Sequence, residues 1–260
     1  MTTDASGEWK QWHEHRTAQV CEPYGPLALT GTYWLEDCPE GEVPGVPGRW
    51  TAEGGTVLLT AAEYDGLRVD GEPFTGEVRL EADPGPVSVS RVAAGERRLV
   101  VLVREGEWGV RVYDPAAPAR RSFQGIDATA HDPRWSVEGH FTPYGEHRTV
   151  LVENADGRHR GLGLGGVLAF TLDEQDLTLQ VSVEDDGSLW AVFADSTSGE
   201  GSYGFRFLRP PAPDAEGRTT VDFNRALLPP CAFSDHFVCP LPPPGNTLGI
   251  AIEAGERTLL

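Results

Sequence analysis

The sequence predicts an all-β protein: an N-terminal helix, a small β domain, then an antiparallel β-barrel or closed sandwich. Three observations lead there. Apolar residues alternate in short runs such as "TVLLTA" and "LTLQVSV". Glycine-containing turns interrupt those runs at intervals of roughly ten residues, the usual spacing in sandwiches and barrels. After the first helix, no long stretch carries a helical period. The 260 residues then divide into a helix over 1–20, a small β-sandwich-like domain over 21–125, and a β-barrel domain with a proline-rich C-terminal clasp over 126–260.

The helix is predicted over "SGEWKQWHEHRTAQV", with Ser6 as cap and Trp9, Trp12, His13 and Arg16 recurring at three- and four-residue spacing. In the first β domain, Thr56, Leu58 and Thr60 share one strand face, and Val57 and Leu59 the other. Val87, Val89 and Arg91 alternate in the same way, as do Val110, Val112 and Asp114. The second half contributes roughly six to nine strands. Their sequences include "WSVEGHFTPY", "HRTVLVEN", "YGFRFLRP", "RTTVDFN" and "NTLGIAIEAGERTLL". Glu184–Ser188, "EDDGS", is a hairpin turn between strands ending at Val183 and starting at Leu189.

Composition excludes several classes of function. The formal net charge of −19 repels phosphate backbones and anionic lipid heads, so neither nucleic acid nor membrane is an expected partner. Lys10 is the sole lysine among 21 basic residues, which removes lysine-nucleophile chemistry. No basic stretch followed by an apolar one opens the chain, and no run is long enough to span a bilayer, so a cytoplasmic location is expected. Cys21, Cys38, Cys231 and Cys239 would then stay reduced.

Four places carry candidate chemistry. "PARRSF" sets Arg120 and Arg121 between the two halves, where they either clamp an anion or tie the segment to acidic surface. In "FADSTSGEGSYGFRFL", Tyr203 and Phe205 point to one face of a strand, and Gly204 and Arg206 to the other. An inward Arg206 needs a carboxylate partner or a ligand, with Asp195 and Asp222 as the partners to test. In "TTVDFNRA", Asp222 and Asn224 fall on one face, as ligand contacts if that face is interior and as solvent groups otherwise. Cys231, His236 and Cys239 supply only three soft ligands, whereas structural zinc wants four. A disulfide, a buried thiol pair and a Cys–His nucleophile remain open there. The fourth place is the histidines elsewhere: His131, His140, His147 and His159, of which His140 sits in a strand pattern and is taken as facing a pocket. "GLGLGGVLAF" lacks the Lys-Ser/Thr of a phosphate loop and opens no helix.

The runs "ADSTSGEGSYGFRFL", "VDFNRALLPPCAF" and "CPLPPPGNTLGIAIEAGE", with "EWKQWHEHR" and "WSVEGHFTPY" upstream, resemble the bacterial and archaeal domain-of-unknown-function family 1684. The resemblance spans nearly the whole chain and implies positions without supplying an activity. Family-like residues are Asp195, Gly199, Tyr203, Gly204, Arg206 and Leu208 in the hairpin, Asp222 and Asn224 in the next strand, and Arg121 upstream. The clasp contributes Pro229, Pro230, Cys231, Cys239 and Asn246, and the last strand Glu253. Leu227 and Leu228 stand where Tyr and Asn are usual, and His236 where the family demands no histidine.

The functional expectation is a barrel that binds a small organic molecule, as ligand or substrate, and transforms it by non-redox acid/base chemistry with no cofactor and no metal. Asp222, Tyr203 and Arg206 are the candidate catalytic residues, and Asn224, Asp195, Arg121 and His140 the candidate ligand-binding ones. A homodimer is a further expectation. The rival reading is a non-catalytic interaction or scaffold protein, in which these residues are packing and turn chemistry.

Overall fold

The computed structural model describes residues 5–260, with the backbone alone at His147. Strands make up 44% of the chain and one substantial helix opens it, so the all-β class holds. The helix α1, Ala5–Val20, has Ser6 inside its first turn. The chain divides into two compact units, Ala18–Ser122 and Met1–Thr17 with Phe123–Leu260.

The unit Ala18–Ser122 contains β1 (Leu29–Trp34), β2 (Arg49–Glu53), β3 (Thr56–Ala61), β4 (Leu67–Val69), β5 (Glu72–Pro73), β6 (Gly76–Leu80), β7 (Val92–Ala94), β8 (Arg97–Arg104) and β9 (Glu107–Tyr113), then the short helix α2 (Pro118–Ser122). They form a six-stranded sheet, β1-β9-β8-β7-β4-β5, and a three-stranded one, β2-β3-β6. On β3, Val57, Leu59 and Ala61 are buried and their neighbours are not, so the predicted alternation is present. Those side chains join Trp50, Leu80, Leu99, Val101 and Val110 in one core drawn from both sheets. Val87–Val89 is not a strand. It is a 3-10 turn, and Val89 is exposed. The reason is local: the Asp83 carboxylate takes the Val101 amide (2.8 Å) and Ser90 the Leu99 carbonyl (3.0 Å), so β8 groups that a strand would pair are already bonded, while the Val89 and Ser90 amides close the turn on the Pro86 and Val87 carbonyls (3.0 and 3.1 Å).

The other unit adds β10 (Ile126–Ala128), β11 (Ser136–Glu153), β12 (His159–Leu172), β13 (Gln175–Val183), β14 (Leu189–Phe193), β15 (Arg206–Leu208), β16 (Arg218–Asp222) and β17 (Glu256–Leu259). The two runs "WSVEGHFTPY" and "HRTVLVEN" merge into the single strand β11, with a register shift between Pro143 and Arg148. The 184–188 hairpin lies where the sequence puts it, between Val183 and Leu189. The six-stranded antiparallel sheet β15-β14-β13-β12-β11-β16 curls into a half-barrel, and among the described residues no ladder joins β15 to β16. The expected closed barrel is therefore corrected to an open one. The edge strand β15 is only three residues long, and its Phe207 exchanges both backbone bonds with Leu227 (2.9 and 2.8 Å) instead of with β16.

Its interior is filled. Leu168, Phe170, Leu179, Phe193, Val221 and Phe223 pack with Leu248 and Ile252 of the C-terminal segment. The 247–255 stretch, expected as a strand, has no ladder of its own beyond one bridge, Ala194 to Thr247. On β14 and β15 the alternate residues Val192 and Phe207 join a second cluster with Phe205, Cys231 and Cys239. The proline-rich clasp thus packs on a half-barrel instead of closing a full one. Residues 5–17 pack within this same unit: the buried Trp9 donates its indole N–H to the Asn224 carbonyl (2.8 Å) and stacks on His13.

Candidate functional site

Asp195 follows the end of β14 and opens the turn Asp-Ser-Thr-Ser-Gly. Its Oδ1 accepts from the Thr197 amide (2.8 Å) and hydroxyl (2.7 Å), the local self-bonding that favours Asp at such turns. Gly199 takes the left-handed conformation, φ 87°, that lets the turn close. Oδ2 of Asp195 faces Arg206, whose Nη2 donates to it at 2.7 Å. Both side chains are wholly shielded from solvent.

Arg206 is a hub. Its guanidinium also donates to the carbonyls of Ala254 (2.6 Å), Ile252 (2.8 Å) and Glu256 (3.3 Å). An extended backbone aims every second carbonyl the same way, so residues 252, 254 and 256 present a row of acceptors. The arginine takes the place a neighbouring strand would occupy, which explains why this stretch needs no ladder. Burial pulls the Arg206 pKa down against the opposing pull of Asp195.

Asn224 is a second hub. Asp222 ends β16 and caps a 3-10 turn over Phe223–Arg225, accepting from the Asn224 amide (3.1 Å). Asp222 and Asn224 are therefore not two residues of one strand face. The buried Asn224 side chain accepts from the Asp132 amide (2.9 Å) and donates to the Asp132 carbonyl (3.0 Å) and to Asp222 Oδ1 (2.9 Å). Asn246 acts in the same way between β13 and β14, bonding the Gln180 amide (2.8 Å) and the carbonyls of Gln180 and Val192 (2.9 Å each). Glu256, fully buried, accepts from the Leu228 amide (2.7 Å) and from Arg16 of α1 (3.2 Å). Burial raises its pKa, with Arg16 opposing.

These hubs hold the walls of an open cleft of about 680 Å³. One wall is the 129–135 segment, tied by Asn224. The second is the 197–201 turn, tied by Asp195. The third is the 252–257 segment, tied by Arg206. Polar residues lining the cleft are Thr129, His131, Asp132, Arg134, Thr197, Glu253 and Arg257. Arg134 pairs with Asp132 (3.4 Å) and Arg257 with Asp127 (3.8 Å). Arg134 lies over the Trp135 ring (4.4 Å), and Arg257 donates to the Gly201 carbonyl (3.1 Å).

Residues 121–257 match the model of a family described as a protein of unknown function, DUF1684. The chain belongs to the DUF1684 family. The solution NMR structure of an uncharacterized protein of Haloarcula marismortui is similar, at 36% identity over 54% of this chain and 80% of that one, with a TM-score of 0.45. No curated protein matches. The DUF1684 region contains the Asp195–Arg206 pair, Asn224, Asn246, Glu256 and all three cleft walls, whereas Trp9 and Arg16 lie outside it.

Within the DUF1684 region the predicted site residues separate into groups. Asp195, Arg206, Asp222 and Asn224 meet backbone and one another, because the interior where a ligand was expected is packed with apolar side chains. Tyr203 and Phe205 do point away from Arg206, as alternation required, into the cluster holding Cys231. His140 is exposed on the rim of a separate pocket of about 510 Å³ with Phe141, Val183 and Leu189. Arg121 is exposed on α2, in the other unit. The side chain of His147 lies outside the described residues. Among the described residues, no cluster of His, Cys, Asp and Glu is arranged to hold a metal ion. Sequence reasoning passed over Arg134, Arg257 and Glu256. The signal available for Glu256 was a charged pair, Glu256-Arg257, inside an otherwise apolar terminal run.

Proposed function

We propose that this protein binds a small anionic organic molecule, a carboxylate or similar oxyanion, in the cleft between Arg134 and Arg257. The observation that carries this reading is that three separate buried hubs each fix one wall of a single cleft. Rigid support behind a polar, concave surface is what a ligand site requires. On a chain of net charge −19 the cleft lining is charge-balanced, Arg134 and Arg257 against Asp132 and Glu253, so an anion meets less repulsion there than over the rest of the surface.

In this reading Asp195, Arg206 and Asn224 are positioning residues, and Asp222 supports Asn224. The contact groups are Arg134, Arg257 and Thr197. His131 and Glu253 face the same space and are the groups able to move a proton there, the step a non-redox acid/base reaction needs. The test is thermal stabilisation of the full chain by a panel of small mono- and dicarboxylates and phosphate. A ligand present at 100 times its Kd adds about 2.7 kcal/mol of stability. The double variant Arg134→Ala/Arg257→Ala should abolish the shift with its own fold intact. An undiminished shift in that variant, or no shift with any anion, overturns the proposal.

A further inference from the structure

Tyr203, Cys231 and Cys239 form a second cluster of reactive groups that the cleft does not use. Cys231 sits in the 3-10 turn Pro230–Ala232, set by the two prolines before it. Cys239 precedes Pro240 at the far end of the clasp, where its carbonyl accepts from Ala155 (2.8 Å) and Pro240 bridges Asn154. The intervening loop exposes Asp235 and His236 and brings its two ends back together. The two buried thiols lie in one packed cluster with Val192, Phe205 and Phe207. The Tyr203 hydroxyl donates to Cys231 Sγ (3.6 Å).

That geometry distinguishes Cys231 from the other thiols. Two donors favour its thiolate: the Cys239 hydrogen bond, the largest influence, and then Tyr203 lower its pKa against burial. Burial instead raises Cys21 and Cys38, in the other unit, which serve as internal controls.

We propose that Cys231 and Cys239 are a reversible dithiol–disulfide pair, with Cys231 the sulfur that meets a hydroperoxide and Cys239 the sulfur that resolves it. In the first step Cys231 sulfur attacks the terminal peroxide oxygen. The S–O bond forms, the O–O bond breaks, and the departing alkoxide leaves as alcohol with the thiol proton. Cys231 is then a sulfenic acid, oxidised by two electrons. In the second step Cys239 sulfur attacks Cys231. The S–S bond forms, the S–O bond breaks, and the hydroxyl leaves as water with the Cys239 proton. In sum, two thiols and one hydroperoxide give a disulfide, an alcohol and water.

The experiment treats the full chain with hydrogen peroxide and follows intact mass, thiol titration and peptide mapping. The expected result is loss of two hydrogens and of two of the four titratable thiols, with both changes mapping to Cys231 and Cys239 and reversed by a dithiol reductant. In Cys239→Ser, a sulfenic-acid trap should label Cys231. In Cys231→Ser, the label should be lost. Tyr203→Phe should slow the oxidation roughly fivefold, since it removes one of the two donors. Wild-type protein that keeps both thiols while Cys21 or Cys38 oxidises overturns the proposal, and so does a trap that labels Cys239 alone. An unchanged rate in Tyr203→Phe removes the tyrosine from it. None of these readouts involves the cleft or an anionic ligand.

Discussion

The two units are built of the same material, short antiparallel strands broken by glycine turns, yet their interiors differ. The unit Ala18–Ser122 has a core of aliphatic side chains round Trp50. Among the described residues, the buried polar and charged side chains are Asn154, Asp195, Ser202, Arg206, Thr219, Asn224, Asn246 and Glu256, all in the other unit. An apolar core is held by area and shape, and it tolerates repacking. A buried polar hub is held by a few directed bonds, and it dictates which loop lies against which. The second unit uses such hubs where its strands run out: at the open edge of the half-barrel, between β13 and β14, and behind the cleft.

Substitutions can test that contrast, beginning with the largest expected effect. Arg206→Ala leaves the Asp195 carboxylate buried without its counter-charge and should cost about 4–5 kcal/mol in urea unfolding. Arg206→Lys should still cost more than about 2 kcal/mol, since one ammonium cannot serve a carboxylate and a row of carbonyls. A loss below that from either variant would mean the hub is dispensable and the contrast false. Trp50→Ala in the apolar core should cost about 3–4 kcal/mol, whereas Trp50→Phe should cost only about 1–2 kcal/mol, the lost indole bond to the Pro47 carbonyl (2.9 Å) included, because an apolar site relaxes round a smaller ring. If Trp50→Phe proves as damaging as Trp50→Ala, the apolar core is no more tolerant than the polar hub. Asn246→Ala strips partners from three backbone groups between β13 and β14 and should cost about 2–3 kcal/mol, with faster hydrogen exchange at Gln180.

The smallest expected effect concerns pH. Burial raises the Glu256 pKa in the folded chain. Its contribution to stability is therefore full below the ordinary glutamate value, and it is lost as pH rises through the raised folded value. Glu256→Gln, neutral at every pH, should flatten the decline of the urea midpoint over that window. Parallel wild-type and variant profiles would show that Arg16 offsets the burial completely.

Much of the fold was legible because strand faces and turns are local. Val57 and Leu59 could be assigned to one face from their spacing alone, and "EDDGS" could be identified as a turn from its residues. The alternation of Tyr203 and Phe205 against Arg206 was equally readable. Failures came where a side chain, near or distant, took over a strand's bonding. Val87–Val89 alternates like a strand, but the Asp83 and Ser90 side chains take the β8 groups it would have paired. Residues 247–255 alternate like a strand, but Arg206 takes their carbonyls. Asp222 and Asn224 are two apart as strand neighbours would be, yet the Asp222 carboxylate turns the chain at that point.

By itself the sequence determined the class, the N-terminal helix, most strand positions and the family, because hydrophobic period, turn residues and motif spacing are properties of neighbouring residues. Only the tertiary structure decided that the barrel stays open, that its interior is full, and that Asp195, Arg206 and Asn224, among the residues marked for chemistry, stand behind a cleft. Whether a polar side chain meets a ligand or a carbonyl depends on what the fold brings to it. For Arg206 that partner lies 46–50 residues further along the chain, and for Arg16 it lies 240 residues away.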